Sequence, residues 1–233
     1  MIDDQVKRFV DHLDASGRLD DTIIIFLADH GDYAGDYGLQ RKGAGLPECL
    51  VRVPFMVTGP GIRSHHNRLD FVSLVDILPT VCEIAGAEIP FGCQGRSLWP
   101  MLTGADYPAA EFSSIYAELG FGSLPYGPHE RPPLHFDYAG PTYDELNSVT
   151  QSGNLKMVRK GNWKLIFDVL SGGELYDLDS DPGELENLYH DPRHAVMRTA
   201  MLEELLYWTI RTEDPLPLAK YLPKVAPHNW YRS

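Results

Sequence analysis

The chain has 233 residues, 43% of them hydrophobic, and 33 acidic residues against 20 basic ones give it a net charge of −13. This length can bury the core of one large domain or of one and a half small ones. The acidic balance argues against binding to nucleic acid or to an anionic membrane, because no basic face is present to neutralise phosphates, and no apolar stretch is long enough to cross a bilayer.

The first predicted element is an amphipathic helix. Apolar residues recur at helical spacing on one face, namely Ile2, Val6, Phe9, Val10 and Leu13. A charged start of this kind does not resemble the apolar core of a signal peptide. It therefore predicts no export signal within these residues, and it leaves the location of the full-length protein open.

A short apolar run at residues 22–28 leads directly into Asp29 and His30. Continuous apolar and β-branched character predicts a strand of a mainly parallel sheet that is covered on both faces. Ligands collect at the carboxyl ends of strands in open α/β sheets, so a carboxylate and an imidazole here are well placed to hold a metal ion. By itself, Asp-His-Gly after a strand is also typical of a helix cap or a turn.

Lys42 lies in the loop that follows, and on its own it would be interpreted as a solvated cation. Glu48 and Arg52 are four positions apart, as an ion pair on one helical turn would be, so we expect them to have a structural role. Residues 55–58 then predict a second strand.

A second helix is predicted at residues 72–85. It ends at Gly86, which suits a helix C-terminus, and Pro79 is placed to start or kink one of its turns. The three cysteines, Cys49, Cys82 and Cys93, lack the spacing of a metal site, so they predict reduced and partly buried thiols.

The last part of the chain predicts four further segments. Residues 120–153 are rich in Gly, Pro and aromatics, which favours a loop at the rim of a pocket. Residues 155–178 predict a small antiparallel sheet with a hairpin turn at residues 160–162, and an acidic helix follows at about 192–212. The C-terminal tail is interrupted by prolines and is expected to wrap the surface.

These motifs resemble the sulfatase family of the alkaline phosphatase superfamily. In that family a strand ends in Asp-His-Gly or Asp-Asn-Gly, a lysine follows in the loop, and a segment like E-x-x-x-R-V-P comes after it. The matching residues here are Asp29, His30, Gly31, Lys42, Glu48, Arg52, Val53 and Pro54. The sheet region also resembles the family's C-terminal subdomain, with matches that include Trp163, Lys164, Leu165, Asp181, Pro182 and Glu184.

The resemblance implies a fold and a site. The fold is α/β: residues 1–112 form part of a mixed, mainly parallel sheet flanked by helices, residues 113–154 form a loop-rich connection, and residues 155–233 form a small subdomain of antiparallel sheet and helix. Asp29 and His30 are implied as ligands of a divalent metal. Calcium is usual in the family, although a nitrogen ligand suits manganese better than calcium, and magnesium is an alternative.

The implied activity is metal-assisted hydrolysis of a sulfate ester of a small molecule or a carbohydrate. Lys42 is implied as the catalytic residue that contacts the sulfate group. A cation and a fixed ammonium suit this chemistry because its transition state accumulates negative charge on oxygen. Two alternatives stay open: a phosphodiesterase or phosphonate monoester hydrolase of the same superfamily, and a fragment without catalytic activity.

The family's nucleophile is not found among these cysteines. It is a formylglycine made from the Cys or Ser of a C/S-x-P-x-R motif, and none of the three cysteines stands in such a motif. The resemblance therefore covers the C-terminal portion of a sulfatase, either truncated or completed by an N-terminal half supplied elsewhere. We expect the isolated chain to be inactive and to associate with that half or with itself.

Overall fold

The computed structural model describes residues 1–40, 42–43, 45–63, 70–122, 153–169 and 171–213. These residues form two compact units. The first contains Met1–Asp29 and Pro54–Ala109, and the second contains His30–Val53 together with the described residues from Ala110 onward. The segment His30–Val53 therefore belongs to the second unit, although the residues on either side of it belong to the first.

The helices and strands of these residues have the following bounds. In chain order they are α1 (Ile2–Ala15), β1 (Ile24–Leu27), α2 (Glu48–Val51), β2 (Phe55–Thr58), α3 (Ile77–Ile84), α4 (Trp99–Thr103), β3 (Ser114–Gly122), β4 (Gly153–Lys160), β5 (Trp163–Asp168), β6 (Gly172–Asp177) and α5 (Ala195–Arg211). No helix in the described ranges combines the length and the apolar character that crossing a membrane requires.

In the first unit, β1 pairs with β2 in antiparallel register, so that Ile24 lies opposite Thr58 and Leu27 opposite Phe55. Both sheets that the described residues form are antiparallel. The mainly parallel sheet expected within residues 1–112 is thus not confirmed. Nor is β1 covered on both faces here, since Leu27 is exposed and the other three residues are half-buried. An apolar run indicates burial, but it does not encode the direction of the neighbouring strand.

The predicted helix at residues 72–85 is confirmed, with a 3₁₀ turn at Leu74–Asp76 leading into α3. Pro79 is the third residue of α3, in the first turn, where backbone N–H groups have no partner inside the helix. Gly86 follows the helix with a φ of 64°, a left-handed conformation that glycine adopts without strain.

A buried ion pair ties this helix start to a later loop. Asp76 and Arg96 are 1% and 2% exposed, and Arg96 Nη2 lies 3.2 Å from Asp76 Oδ2. The carboxylate also accepts hydrogen bonds from the backbone N–H groups of Ser73 at 2.9 Å and Arg96 at 2.7 Å. A buried charge is tolerated when it is paired and hydrogen-bonded in this way. Asp76 therefore has a structural role in the first unit.

The second unit is built on an antiparallel sheet in the order β3-β4-β5-β6. The sheet and the hairpin predicted within residues 155–178 are confirmed, and Gly161 makes the β4–β5 turn with a φ of 57°. The sheet has one strand more than expected, because β3 pairs with β4 from within the segment interpreted as a connection. The helix predicted at about 192–212 is confirmed as the 3₁₀ turn Pro192–His194 followed by α5. Its acidic character is not, since this stretch has three arginines and two glutamates.

The two faces of this sheet are covered by different elements. On one face, alternate strand residues pack against α5 in a core of Val158, Leu165, Leu175, Met201, Leu205 and Trp208. On the other face, Met157, Ile166 and Tyr176 pack with Leu46, which lies in the segment His30–Val53. Side chains of a strand alternate between faces, so one strand residue in two points toward that segment.

Two expectations concern residues outside the described ranges. Most of the loop expected at residues 120–153 and all of the proline-interrupted tail after residue 213 fall there.

Candidate functional site

The segment between β1 and β2 carries the residues for which the sequence predicts chemistry. Asp29 is exposed two residues after β1, and His30 follows it, half-buried. They are consecutive in the chain, Asp29 being the last residue of its stretch of the first unit and His30 the first residue of the second. The carboxylate is a hard oxygen ligand, and the imidazole is a nitrogen ligand.

The His30 ring has a defined hydrogen-bonding partner. Its Nδ1 lies 2.7 Å from the carbonyl oxygen of Gly31. A carbonyl can only accept, so Nδ1 carries the proton and donates it. In the neutral ring this leaves the lone pair on Nε2, the form in which histidines ligate metals through that nitrogen.

Gly31 connects the turn to α2. Its N–H donates to the carbonyl oxygen of Leu50 at 2.8 Å, and a Cβ built at this position would overlap the carbonyl oxygen of Cys49. Only glycine lets the two backbones approach this closely. The backbone after His30 is therefore held against α2.

Lys42 is exposed on the loop between the 3₁₀ turn Asp36–Gly38 and α2. Its side chain is therefore accessible to a ligand that approaches the loop. Among the residues that the structure describes, no three His, Cys, Asp or Glu side chains come together as a metal site requires. The metal site expected at Asp29 and His30 therefore stays a prediction.

A small cavity of about 190 Å³ lies beside this loop in the second unit. Its walls are mainly apolar and aromatic, and the residues that line it include Tyr33, Tyr37, Tyr176, Glu174 and Glu184. Burial raises the pKa of Tyr37 and that of Tyr176, and the negative charges of Glu184 and Glu174 raise them further. The phenols therefore stay protonated and can act as hydrogen-bond donors at neutral pH.

Glu48 has different partners from the one expected. It forms ion pairs with Arg159 of β4 and with Lys164 of β5, whose Nζ lies 3.2 Å from Glu48 Oε1, instead of the expected pair with Arg52. Spacing along a helix indicates only local partners, whereas these two basic residues come from strands more than 100 positions later. The expected structural role of Glu48 remains, with partners from the sheet.

The three cysteines are free and half-buried, as predicted. Burial raises the pKa of the Cys49 thiol, and the nearby Asp36 and Glu184 carboxylates raise it further. A thiol is nucleophilic as its thiolate, so these surroundings work against a reactive Cys49.

Sequence reasoning gave no role to Lys164, Glu184 or the tyrosines of the cavity. One signal for Lys164 was present. Lys164 lies two positions before Ile166 in β5, and side chains two positions apart in a strand point to the same face. The lysine therefore points to the same buried face as Ile166.

The model of the sulfatase family matches residues 1–87. The chain is 31% identical over 219 residues to a multifunctional alkaline phosphatase superfamily protein of Trinickia caryophylli, in an alignment that covers 91% of this chain and 39% of that protein. It is 32% identical over 198 residues to a choline-sulfatase of Rhizobium meliloti, covering 84% of this chain and 32% of the relative. The chain thus spans well under half the length of these two relatives.

A solved structure is similar as well. The crystal structure of the phosphonate monoester hydrolase of Agrobacterium radiobacter superposes with a TM-score of 0.73 and 27% identity. The superposition covers 93% of this chain and 40% of that one.

Proposed function

This chain belongs to the sulfatase family of the alkaline phosphatase superfamily, and on that premise we propose that it supplies the metal-binding end and a sulfate contact of a sulfuric ester hydrolase. The observation that carries the proposal is the order of Asp29, His30 and Lys42 after β1, on a segment whose backbone is held against α2. The substrate class is a sulfate ester of a small molecule or a carbohydrate.

In this proposal Asp29 and His30 hold the divalent cation, through the carboxylate and the Nε2 lone pair respectively. Calcium is proposed as the metal, with manganese and magnesium as alternatives, because an oxygen and a nitrogen ligand do not select one of them. When bound, the cation supplies charge stabilisation for the sulfate oxygens.

Lys42 is proposed to contact the sulfate group. Its exposure lets the ammonium reach a ligand, and a positive charge aimed at oxygens that become more negative in the transition state accelerates the reaction. We also retain the mainly parallel sheet as a property of the complete catalytic domain, in which β1 would pair with further strands.

A substitution of Lys42 tests this function in a complete enzyme that carries this sequence. We expect Lys42→Ala to lower kcat/KM for a chromogenic aryl sulfate by about 10²–10³-fold, the usual cost of one group that stabilises developing charge. The melting temperature should stay unchanged, because Lys42 is exposed. The matched control is Lys7→Ala, which removes another exposed lysine, on α1.

In the Asp29→Ala variant of the same enzyme, added calcium or manganese should no longer raise turnover. Turnover that is unaffected by both Lys42→Ala and Asp29→Ala would refute the assignment.

The similarity to a phosphonate monoester hydrolase favours a second candidate reaction. Assays with an aryl phosphonate monoester beside the aryl sulfate separate the two by their kcat/KM values.

A further inference from the structure

The segment His30–Val53 packs on the same face of the β3–β6 sheet as Lys164, and we propose that Lys164 is a positioning residue for that segment. In this arrangement the Lys164 ammonium holds the segment His30–Val53, which carries His30 and Lys42, against the sheet. The importance of those two residues rests on the proposed function, whereas the link between Lys164 and the segment does not.

Lys164 is a fully buried cation with two carboxylate partners. Its side chain is 0% exposed, and its Nζ lies 2.7 Å from Glu184 Oε1 and 3.2 Å from Glu48 Oε1. An ammonium without such partners would be strongly disfavoured in this position. The lysine therefore requires both carboxylates to be close to it, and that requirement fixes the place of Glu48.

The two glutamates are also joined to each other and to the sheet. Glu184 Oε2 accepts a hydrogen bond from the backbone N–H of Glu48 at 2.6 Å, and Arg159 of β4 forms a further ion pair with the Glu48 side chain. Glu184 has a φ of 53°, which a residue other than glycine holds only where its surroundings compel it. The network thus binds both the backbone and the side chain at the start of α2.

From α2 the constraint reaches the turn after His30. The carbonyl of Leu50 in α2 accepts the N–H of Gly31 at 2.8 Å, so displacement of α2 displaces that turn. Earlier in the loop, the Tyr37 hydroxyl donates to the carbonyl oxygen of Gly183 at 3.0 Å. Lys42 lies between this contact and Leu46, which packs in the core on the same face of the sheet.

Positioning of this kind matters because reacting groups must be held closely. A misplacement of about 1 Å can cost about 10²-fold in rate. A loop on the surface has little of its own to hold such a position, whereas a buried ion network on a sheet provides a rigid reference.

Hydrogen exchange measured by mass spectrometry on the chain itself tests the inference. Lys164→Met keeps an unbranched side chain, one atom shorter, and removes its charge. We expect backbone amides of residues 31–52 to exchange about tenfold faster or more, while amides of β4–β6 keep their protection, since local opening is separable from global unfolding. The matched control is Lys156→Met, which removes the ion pair with Glu118 at 2.7 Å, formed with the neighbouring strand β3. That control should leave residues 31–52 unchanged.

A second variant guards against failure of Lys164→Met to fold. Glu184→Gln keeps the shape of the side chain and leaves Lys164 paired with Glu48, so it should accelerate exchange in the same amides by a smaller factor. Exchange in residues 31–52 that matches the parent chain in both variants overturns the inference. So does an increase spread evenly over the segment and the sheet, which a general stabilising role would produce.

The outcome is independent of the reaction. If the complete enzyme failed to hydrolyse aryl sulfates but Lys164→Met loosened the segment selectively, the proposed function would be wrong and the positioning role right. The opposite result is hydrolysis of aryl sulfates that requires Lys42, together with unchanged protection of residues 31–52 in Lys164→Met and Glu184→Gln. In that case the proposed function would be right and the positioning role wrong.

Discussion

Gly31 is the residue at which backbone geometry most directly constrains the candidate site. Its N–H donates to Leu50, and its Cα faces the carbonyl oxygen of Cys49 at a distance that leaves no room for a Cβ. Close backbone approaches of this type explain why a small residue follows His30. The turn and α2 must shift together if either one shifts.

We expect Gly31→Ala to lower the free energy of unfolding by about 1–3 kcal/mol, the usual cost of forcing an extra carbon into a filled space. Gly43→Ala is the matched control, because the nearest atom to its added Cβ would be Tyr33 Cε2 at 3.6 Å, an ordinary contact. Urea unfolding followed by circular dichroism measures both. Equal stability of the two variants would show that the approach at Gly31 can relax without cost.

Asp76 is the second residue for which the structure predicts a large effect. Asp76→Asn keeps the shape of the side chain but removes the charge that pairs with the buried Arg96 guanidinium. Removal of one member of a buried pair typically costs about 3–5 kcal/mol, so the urea midpoint should fall clearly.

Asp11→Asn provides the comparison for Asp76. It removes the ion pair between Asp11 and Lys7 on α1. The two side chains are 60% and 70% exposed respectively, and such exposed pairs contribute at most about 1 kcal/mol to stability. An Asp76→Asn variant as stable as Asp11→Asn would show that the Arg96 charge is compensated by other groups.

At the scale of elements, the β3–β6 sheet is organised by the alternation of its strands. Residues of one parity, such as Val158 and Leu165, pack on α5, and residues of the other parity, such as Met157 and Ile166, face the segment His30–Val53. A strand with both faces covered can hold an apolar core on one side and an ion network on the other.

The contact between α5 and the sheet centres on Trp208. This residue is 6% exposed, its ring stacks with Tyr116 at 6.1 Å between centroids, and its Nε1–H donates to Ser114 Oγ at 2.9 Å. Trp208→Ala should destabilise the protein by about 3–5 kcal/mol, as expected for truncation of a buried aromatic. Leu206→Ala on the same helix, at a residue 60% exposed, should change the urea midpoint little. A similar midpoint for both variants would contradict this account of the core.

At the scale of the whole molecule, the chain presents apolar surface on its first helix. None of the residues of α1 is buried, and Ile2 and Phe9 are 74% and 72% exposed. An amphipathic helix has an apolar face in order to bury it, and exposed apolar surface of this kind promotes association.

We therefore predict that the purified chain associates with itself and does not hydrolyse aryl sulfates. Light scattering should give a mass above that of the monomer, and Phe9→Lys should shift the distribution toward monomer. Incubation with a chromogenic aryl sulfate and calcium should release no product above background, since none of the three cysteines stands in the motif from which the family makes its nucleophile. A monomer in light scattering, or product release that disappears in Asp29→Ala, would contradict the corresponding half of the prediction.

Several features followed from the sequence by itself. The helices at residues 2–15 and 77–84, the β4–β5 hairpin and its glycine turn, and the family to which the chain belongs could all be predicted. They depend on local rules, namely apolar periodicity, turn residues and motif order, which a linear sequence displays. The roles of Asp29, His30 and Lys42 remain predictions.

Only the tertiary structure decided the direction of strand pairing and the partners of the buried charges. The apolar run at residues 22–28 is compatible with a parallel or an antiparallel neighbour, and folding paired it antiparallel with β2. Glu48 was expected to pair four residues away, yet it pairs with Arg159 and Lys164 from distant strands. The physical reason is the same in both cases: a buried group is stabilised by whatever lies beside it in space, and sequence separation does not record that neighbour.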